Sequence, residues 1–288
     1  MAASLSTHTE FLFTTKTKLN KRKEKYHFSF LLFKPPMDLQ GKVAIVTGAS
    51  REIGAAIAER LAVDGAKVLI SHYAEADLAE ANAEKIRALG GTVSVMEADL
   101  VHIQANYDLV ARCVQAYGRL DYFIANAGVT VFANMLNTDE KIWHTVFDLN
   151  VKGSYFGAQA ASKQMIAQGE GGRIVFSSSV AGIRSPAGLS AYSITKAALR
   201  QMAKVVSAEV SPHGIRANAI GIGAVINERN LKHEPDYAET WARINPLGRA
   251  VLPNDIASAV RFLVSPDADM ITGQTLIVDG GFLTGGRT

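Results

Sequence analysis

An apolar run, KVAIV, passes at Thr47 into a glycine-bearing turn, TGASREIG (residues 47–54), and then into a helical pattern, AAIAERLAVDG. A strand that is apolar at consecutive positions is suited to burial on both faces, the condition of a parallel sheet covered by helices. The run therefore calls for further units of the same kind, and from Gly41 onward the chain supplies them.

KVAIVT (42–47), KVLIS (67–71), TVSVMEADL (92–100), LDYFIANAG (120–128), GRIVFSSS (172–179), IRANAI (215–220) and QTLIVDGG (274–281) read as strands. Between them lie helical patterns, among them ADLAEANAEKIRALGG, residues 103–117, one long helix from Glu140 to Gln168, one from Ala191 to Ser211, and one from Asn254 to Val264. Alternation of strand and helix is the mark of βαβ units. The expected fold is α/β: a Rossmann-type doubly wound parallel sheet of about seven strands, helices on both faces, in one domain over residues 37–288. Residues 224–250, with Pro235 and Pro246 among polar and aromatic side chains, break the rhythm and suit a mobile lid over a site.

Charge is unevenly spread. Residues 1–36 hold seven basic residues against two acidic ones in a chain of net +3, so the remainder is slightly acidic and lacks the basic surface of a nucleic-acid binder. The N-terminal segment reads as an unstructured extension, as a transit peptide for a plastid or mitochondrion, or as a stretch preceding a start at Met37. Without a transit role a cytoplasmic location is expected. Its apolar pieces FLF and FSFLLF fall far short of the roughly 20 residues a membrane helix needs. Cys113 is the sole cysteine, which excludes an intrachain disulfide and a cysteine-based metal cluster; no metal is expected.

Gly48 and Gly54 stand where a helix N-terminus would receive a pyrophosphate. At the end of the second strand, where an acid would grip the ribose 2′-hydroxyl of NAD, the chain reads Ser71, His72, Tyr73. Arg51 in the turn is within reach of a 2′-phosphate, which favours NADP(H), with NAD(H) as the second choice; alternatively Arg51 is a solvated turn residue. Further along, SSSVAGIRSPAGLSAYSITK ends a strand in serines and opens a helix with Tyr192 and, four residues on, Lys196. That spacing puts both side chains on one helical face. A free phenol titrates near pH 10, and a desolvated ammonium nearby favours its ionised form, fitting it for proton transfer. Ser179 would then hydrogen-bond the substrate oxygen. A bare Tyr-x-x-x-Lys would describe an ordinary surface pair.

Taken with these motifs, residues 38–288 resemble the short-chain dehydrogenase/reductases of the simple, single-domain kind. The resemblance implies that Ser179, Tyr192, Lys196 and Asn150 (in FDLNVKGS) are catalytic, Asn150 holding a water that links Lys196 to solvent. It implies cofactor contacts from Gly48, Ser50, Arg51, Ile53 and Gly54 in the turn, His72, and Asp99 and Leu100 in EADL. Asn126, Ala127 and Gly128 of NAG, Gly223 and Val225, and Tyr192 and Lys196 themselves complete the set. The tail NPLGRAVLPNDIASAVRFLVSPDADMITGQTLIVDGG is similar to glucose dehydrogenases and acyl-carrier-protein ketoreductases. The implied activity is hydride transfer between nicotinamide and a small-molecule carbonyl or secondary alcohol. The implied assembly is a homotetramer or homodimer, with the Tyr192 helix at a subunit interface and no nucleic-acid or membrane partner.

Glu52 replaces the family's middle glycine, Ile222 its usual proline, and Asn227 stands where a threonine often contacts the nicotinamide amide. A Glu52 carboxylate about 6 Å from a phosphate at an effective dielectric of about 20 would oppose binding by roughly 3 kcal/mol; pointing to solvent it would cost a few tenths. Loss of glycine also matters if that residue needs a positive φ. These departures leave two alternatives open: a nucleotide-sensing scaffold with impaired turnover, and a non-redox isomerase or cyclase.

Overall fold

The computed structural model describes residues 39–285; the basic N-terminal segment, and the readings attached to it, lie outside the described residues. Seven strands form one sheet: β1 (Val43–Val46), β2 (Lys67–His72), β3 (Thr92–Glu97), β4 (Tyr122–Ala125), β5 (Gly172–Ser179), β6 (Ile215–Ile222) and β7 (Thr275–Val278). Their order is β3-β2-β1-β4-β5-β6-β7, every pairing parallel. Ile45 of β1 sits in register with Leu69 on one side and Phe123 on the other, all three fully or almost fully buried. The doubly wound architecture read from the sequence is the one observed.

Helices α1 (Glu52–Val63), α2 (Ala76–Ala88) and α3 (Ile103–Tyr117) connect the first four strands. After β4 come α4 (Glu140–Phe147), α5 (Ser154–Gln168) and, beyond β5, α6 (Ser190–Val210); α7 (Glu228–His233), α8 (Tyr237–Ile244) and α9 (Pro253–Val264) follow β6. α1 packs on α9, and α3 on α5. Leu109 and Cys113 of α3, Met165 of α5 and Leu199 and Ala203 of α6 meet Ile45, Phe123, Ile174 and Ala217 of the sheet in one apolar core.

Two expectations need correction. The helix from Glu140 to Gln168 is not continuous: a single π-helical turn, Asp148–Gly153, separates α4 from α5. The wider turn presents Asn150 to the interior, where it is fully buried. Gly153 then lies so close to Leu100 that an added Cβ would come within 2.8 Å of its carbonyl oxygen. Residues 224–250, expected as an irregular lid, contain α7 and α8.

Sheet order reverses between β1 and β4: the chain builds outward from β1 to β3, then starts again on its other side. In such sheets ligands bind at the carboxyl ends of the strands where the order reverses.

Candidate functional site

Thr47, at the end of β1, ties the two halves of the sheet together there. Its hydroxyl accepts from the backbone amides of Asn126 and Ala127, both at 2.9 Å. The Asn126 amide in turn donates to the Thr47 and Gly48 carbonyls at 3.0 and 3.1 Å. Gly48 has φ +60°, and an added Cβ would meet the Ala127 Cα at 2.8 Å, so two requirements demand glycine there. At Gly54 the same addition would collide with the Gly48 carbonyl and, at 2.7 Å, with the Asn126 amide nitrogen.

Glu52, the first residue of α1, has φ +53°. It adopts the left-handed conformation that a glycine takes freely and an L side chain rarely does. Its side chain is not turned out to solvent: Oε1 is buried without a hydrogen-bond partner, and the residue lines the cleft.

At the opposite end of the cleft, Tyr192 and Lys196 share one face of α6. The Lys196 ammonium lies 5.5 Å from the centre of the Tyr192 ring and donates to the Ser177 carbonyl at 2.8 Å. The Ser178 hydroxyl donates to the Lys196 carbonyl at 2.6 Å, which fastens the helix to the end of β5. Ser179, the last residue of β5, directs its hydroxyl to the Ile222 carbonyl at 3.2 Å and accepts from the Ala181 amide at 3.1 Å. Asn150 lies behind Gly128. Its Oδ1 accepts from the Val129 amide at 2.8 Å, and its Nδ2 donates to the Val129 carbonyl at 2.9 Å and to the Thr195 hydroxyl at 3.1 Å. These three bonds commit the Asn150 side chain to protein partners.

These groups open into one cleft of about 780 Å³, within the range of roughly 300–1,000 Å³ usual for small-molecule and cofactor sites. Every residue expected to bind cofactor or take part in catalysis lines it except Asn150, which supports its wall from behind. Gly223 is pressed against Asp279, where an added Cβ would come within 2.6 Å of its Cα. Val225 is buried and bridges to Val251. Asn227 caps α7, its side chain accepting from the Asn230 amide at 2.8 Å, so its oxygen is engaged within the lid. Tyr237 of α8 also lines the cleft; burial first, then the nearby Glu234 charge, pushes its phenol up to about 12, which keeps it a hydrogen-bond donor.

Sequence reasoning missed Glu75. β2 runs one residue beyond the expected Ser71, to His72, and no acid stands at Ser71, His72 or Tyr73, but the chain folds back at Ala74 (φ +53°) and brings Glu75 to the glycine turn. Its carboxylate pairs with Arg51, 3.0 Å from Nη2 and 3.1 Å from Nε, and also accepts from the Ser50 hydroxyl. Arg51 is therefore not simply solvated. Asp99 is engaged locally, accepting from the Val101 amide at 3.3 Å.

The arrangement fits a nicotinamide dinucleotide. Two glycines clear the floor of a turn at a helix N-terminus, the cleft runs from that turn to the Tyr192 phenol, and Gly128 leaves room beside Lys196 that a Cβ would close to 3.4 Å from its nitrogen. Among the described residues no group of three or more His, Cys, Asp or Glu is placed to hold a metal ion, and no helix is long and apolar enough to cross a membrane.

A family model described as enoyl-(acyl carrier protein) reductase matches residues 48–283. An uncharacterized oxidoreductase of Methylorubrum extorquens is 40% identical over 247 residues, covering 84% of this chain and 98% of the relative. An L-rhamnose 1-dehydrogenase (NAD(P)(+)) of Azotobacter vinelandii is 37% identical over 252 residues, 85% of this chain and 98% of its own. The solved structure of a Serratia marcescens short-chain dehydrogenase/reductase double mutant superposes with a TM-score of 0.79 at 35% identity, covering 85% of this chain and 98% of that one.

Proposed function

The chain belongs to the short-chain dehydrogenase/reductase family, and from that premise we propose that it is an NADP(H)-dependent oxidoreductase interconverting a carbonyl and a secondary alcohol on a small molecule. The observation that carries this reading is the Tyr192–Lys196 pair, docked on the end of β5 and open to the same cleft as the glycine turn. When bound, the dinucleotide supplies or accepts a hydride at its nicotinamide ring.

The protein's side chains do the rest. Tyr192 exchanges a proton with the substrate oxygen. The Lys196 ammonium stabilises the phenolate that this exchange leaves and reaches the nicotinamide ribose. Ser179 exchanges its bond to the Ile222 carbonyl for one to the substrate oxygen, holding it against Tyr192. Asn150 is a positioning residue: it fixes the Gly128–Val129 segment and the Thr195 turn on which Lys196 stands. The turn from Gly48 to Gly54 receives the pyrophosphate, and Arg51 the 2′-phosphate, the basis for preferring NADP(H) over NAD(H).

Exposed Ile194 and Val205 on α6, with Trp143 on α4 and Tyr155 on α5, support a homotetramer or homodimer built on these helices. Light scattering of the purified protein reads the oligomeric state.

The deciding experiment incubates the purified protein with NADPH or NADH and a panel of ketones, aldehydes and sugars, with Tyr192→Phe as control. Reduced dinucleotide should be consumed at a rate that falls at least a hundredfold in Tyr192→Phe, while binding of the dinucleotide persists. Consumption indifferent to Tyr192 would overturn the assignment. The left-handed Glu52, with its buried and unpartnered oxygen, favours one second reading: a nucleotide-binding scaffold with impaired turnover. Tight dinucleotide binding without turnover of any substrate would select it.

A further inference from the structure

We propose that Glu75 sets the cofactor selectivity of this protein by occupying, as an internal anion, the side chains that would receive a 2′-phosphate. The inference rests on the reading of the cleft as a dinucleotide site. At the end of β2, where the adenine ribose belongs, the donors on the cleft wall include the Arg51 guanidinium and the Ser50 hydroxyl. Both are bound to Glu75: one carboxylate oxygen takes Nε and Nη2 of Arg51, the other the Ser50 hydroxyl. A planar guanidinium fork that faces a carboxylate presents the same donors a phosphate would use.

Glu75 does not wander into this position. Ala74 holds a left-handed conformation, its amide donating to the Glu97 carboxylate at 3.3 Å, and the Glu75 amide donates to His72 Nδ1 at 3.4 Å. The backbone thus delivers the acid to the turn. Yet the pair itself is partly open to solvent, with side-chain exposures of 48% for Arg51 and 32% for Glu75. Ion pairs of that exposure are weak, so an arriving dinucleotide can open this one.

The two cofactors meet this network differently. A 2′-hydroxyl is neutral, can donate to the carboxylate, and leaves the Arg51 pair standing. A 2′-phosphate must take Arg51 from Glu75 and then lie beside the displaced carboxylate, with like charges a few ångströms apart. Glu75 therefore weakens NADP(H) binding selectively and narrows the preference for NADP(H) that Arg51 confers.

Titration of the full chain with NADPH and with NADH, followed by calorimetry, tests this without turnover. Glu75→Gln keeps the shape and an acceptor oxygen but removes the charge. It should tighten NADPH binding about tenfold and change NADH binding less than twofold, with the NADPH gain shrinking as salt is raised. In an Arg51→Gln background the competition for the guanidinium is gone and only the carboxylate's repulsion of the 2′-phosphate remains, so the same substitution should raise the NADPH to NADH ratio by less. An unchanged ratio in Glu75→Gln, equal tightening of both dinucleotides, or weaker NADPH binding would overturn the proposal while leaving the oxidoreductase assignment intact. Failure of the parent protein and of Glu75→Gln to bind either dinucleotide would instead remove the dinucleotide site itself, and this proposal with it.

Discussion

The Lys196 ammonium stands 5.5 Å from the centre of the Tyr192 ring and is held there by the Ser177 carbonyl at 2.8 Å. The charge is thereby fixed by the end of a strand rather than by the phenol it serves. Lys196→Met should lower turnover by roughly a hundredfold to ten-thousandfold, the range expected for loss of proton-transfer assistance, with the folded structure retained by circular dichroism. Lys196→Arg should restore little, because a planar fork cannot occupy a compact ammonium's place between ring and carbonyl. Full activity in either variant would remove Lys196 from the chemistry.

Glu52 should be improvable. Replacing a left-handed L residue by glycine releases on the order of 1 kcal/mol, which for a domain of this size raises Tm by about 2–4 °C. Glu52→Gly should also tighten dinucleotide binding at least tenfold by removing the buried carboxylate from the cleft. Glu52→Ala separates the causes: it should recover the gain in affinity and little of the gain in Tm. Calorimetry and a thermal melt read both.

Asn150 should matter for stability as well as for rate. Asn150→Ala leaves the half-buried Val129 amide and carbonyl without their side-chain partner and takes one partner from the buried Thr195 hydroxyl, which still donates to the Tyr192 carbonyl. The expected loss is about 2–4 kcal/mol in urea unfolding. Tyr192→Phe, by contrast, should unfold close to the parent midpoint.

Cys113 lies buried in α3, and burial first, then the Asp121 charge, pushes its thiol up to about 12. Its protonated form is thus favoured by folding, a contribution present below the ordinary thiol range near pH 8.5 and lost as pH rises toward 12. At neutral pH a thiol reagent should label the protein only on unfolding. Rapid labelling of the folded protein would contradict the packing of α3 against the sheet.

What could be read from the sequence divides along physical lines. β1 and β4 were legible because each is an unbroken apolar run, β2 by its apolar centre at residues 68–70, and the turn because close approach at Gly48 and Gly54, with positive φ at Gly48, leaves few alternatives to glycine. The π-helical turn at Asp148–Gly153 was not, since DLNVKG carries no proline and its one glycine comes at the end, so helical periodicity runs through it. α7 and α8 were hidden by their shortness beside Pro235. Glu75 was missed for another reason: its partners lie 24 and 25 residues away, and only the left-handed turn at Ala74 brings them together. Glu52 announced itself by standing in a glycine's place, but the burial of its carboxylate depends on cleft walls that local sequence does not describe.

The left-handed glutamate has a consequence for laboratory evolution. In the genetic code every glutamate codon becomes a glycine codon by one transition at its middle base. A random library selected for growth on scarce nicotinamide dinucleotide should therefore recover E52G among its earliest isolates, from a single nucleotide change that relaxes the backbone and discharges the cradle at once.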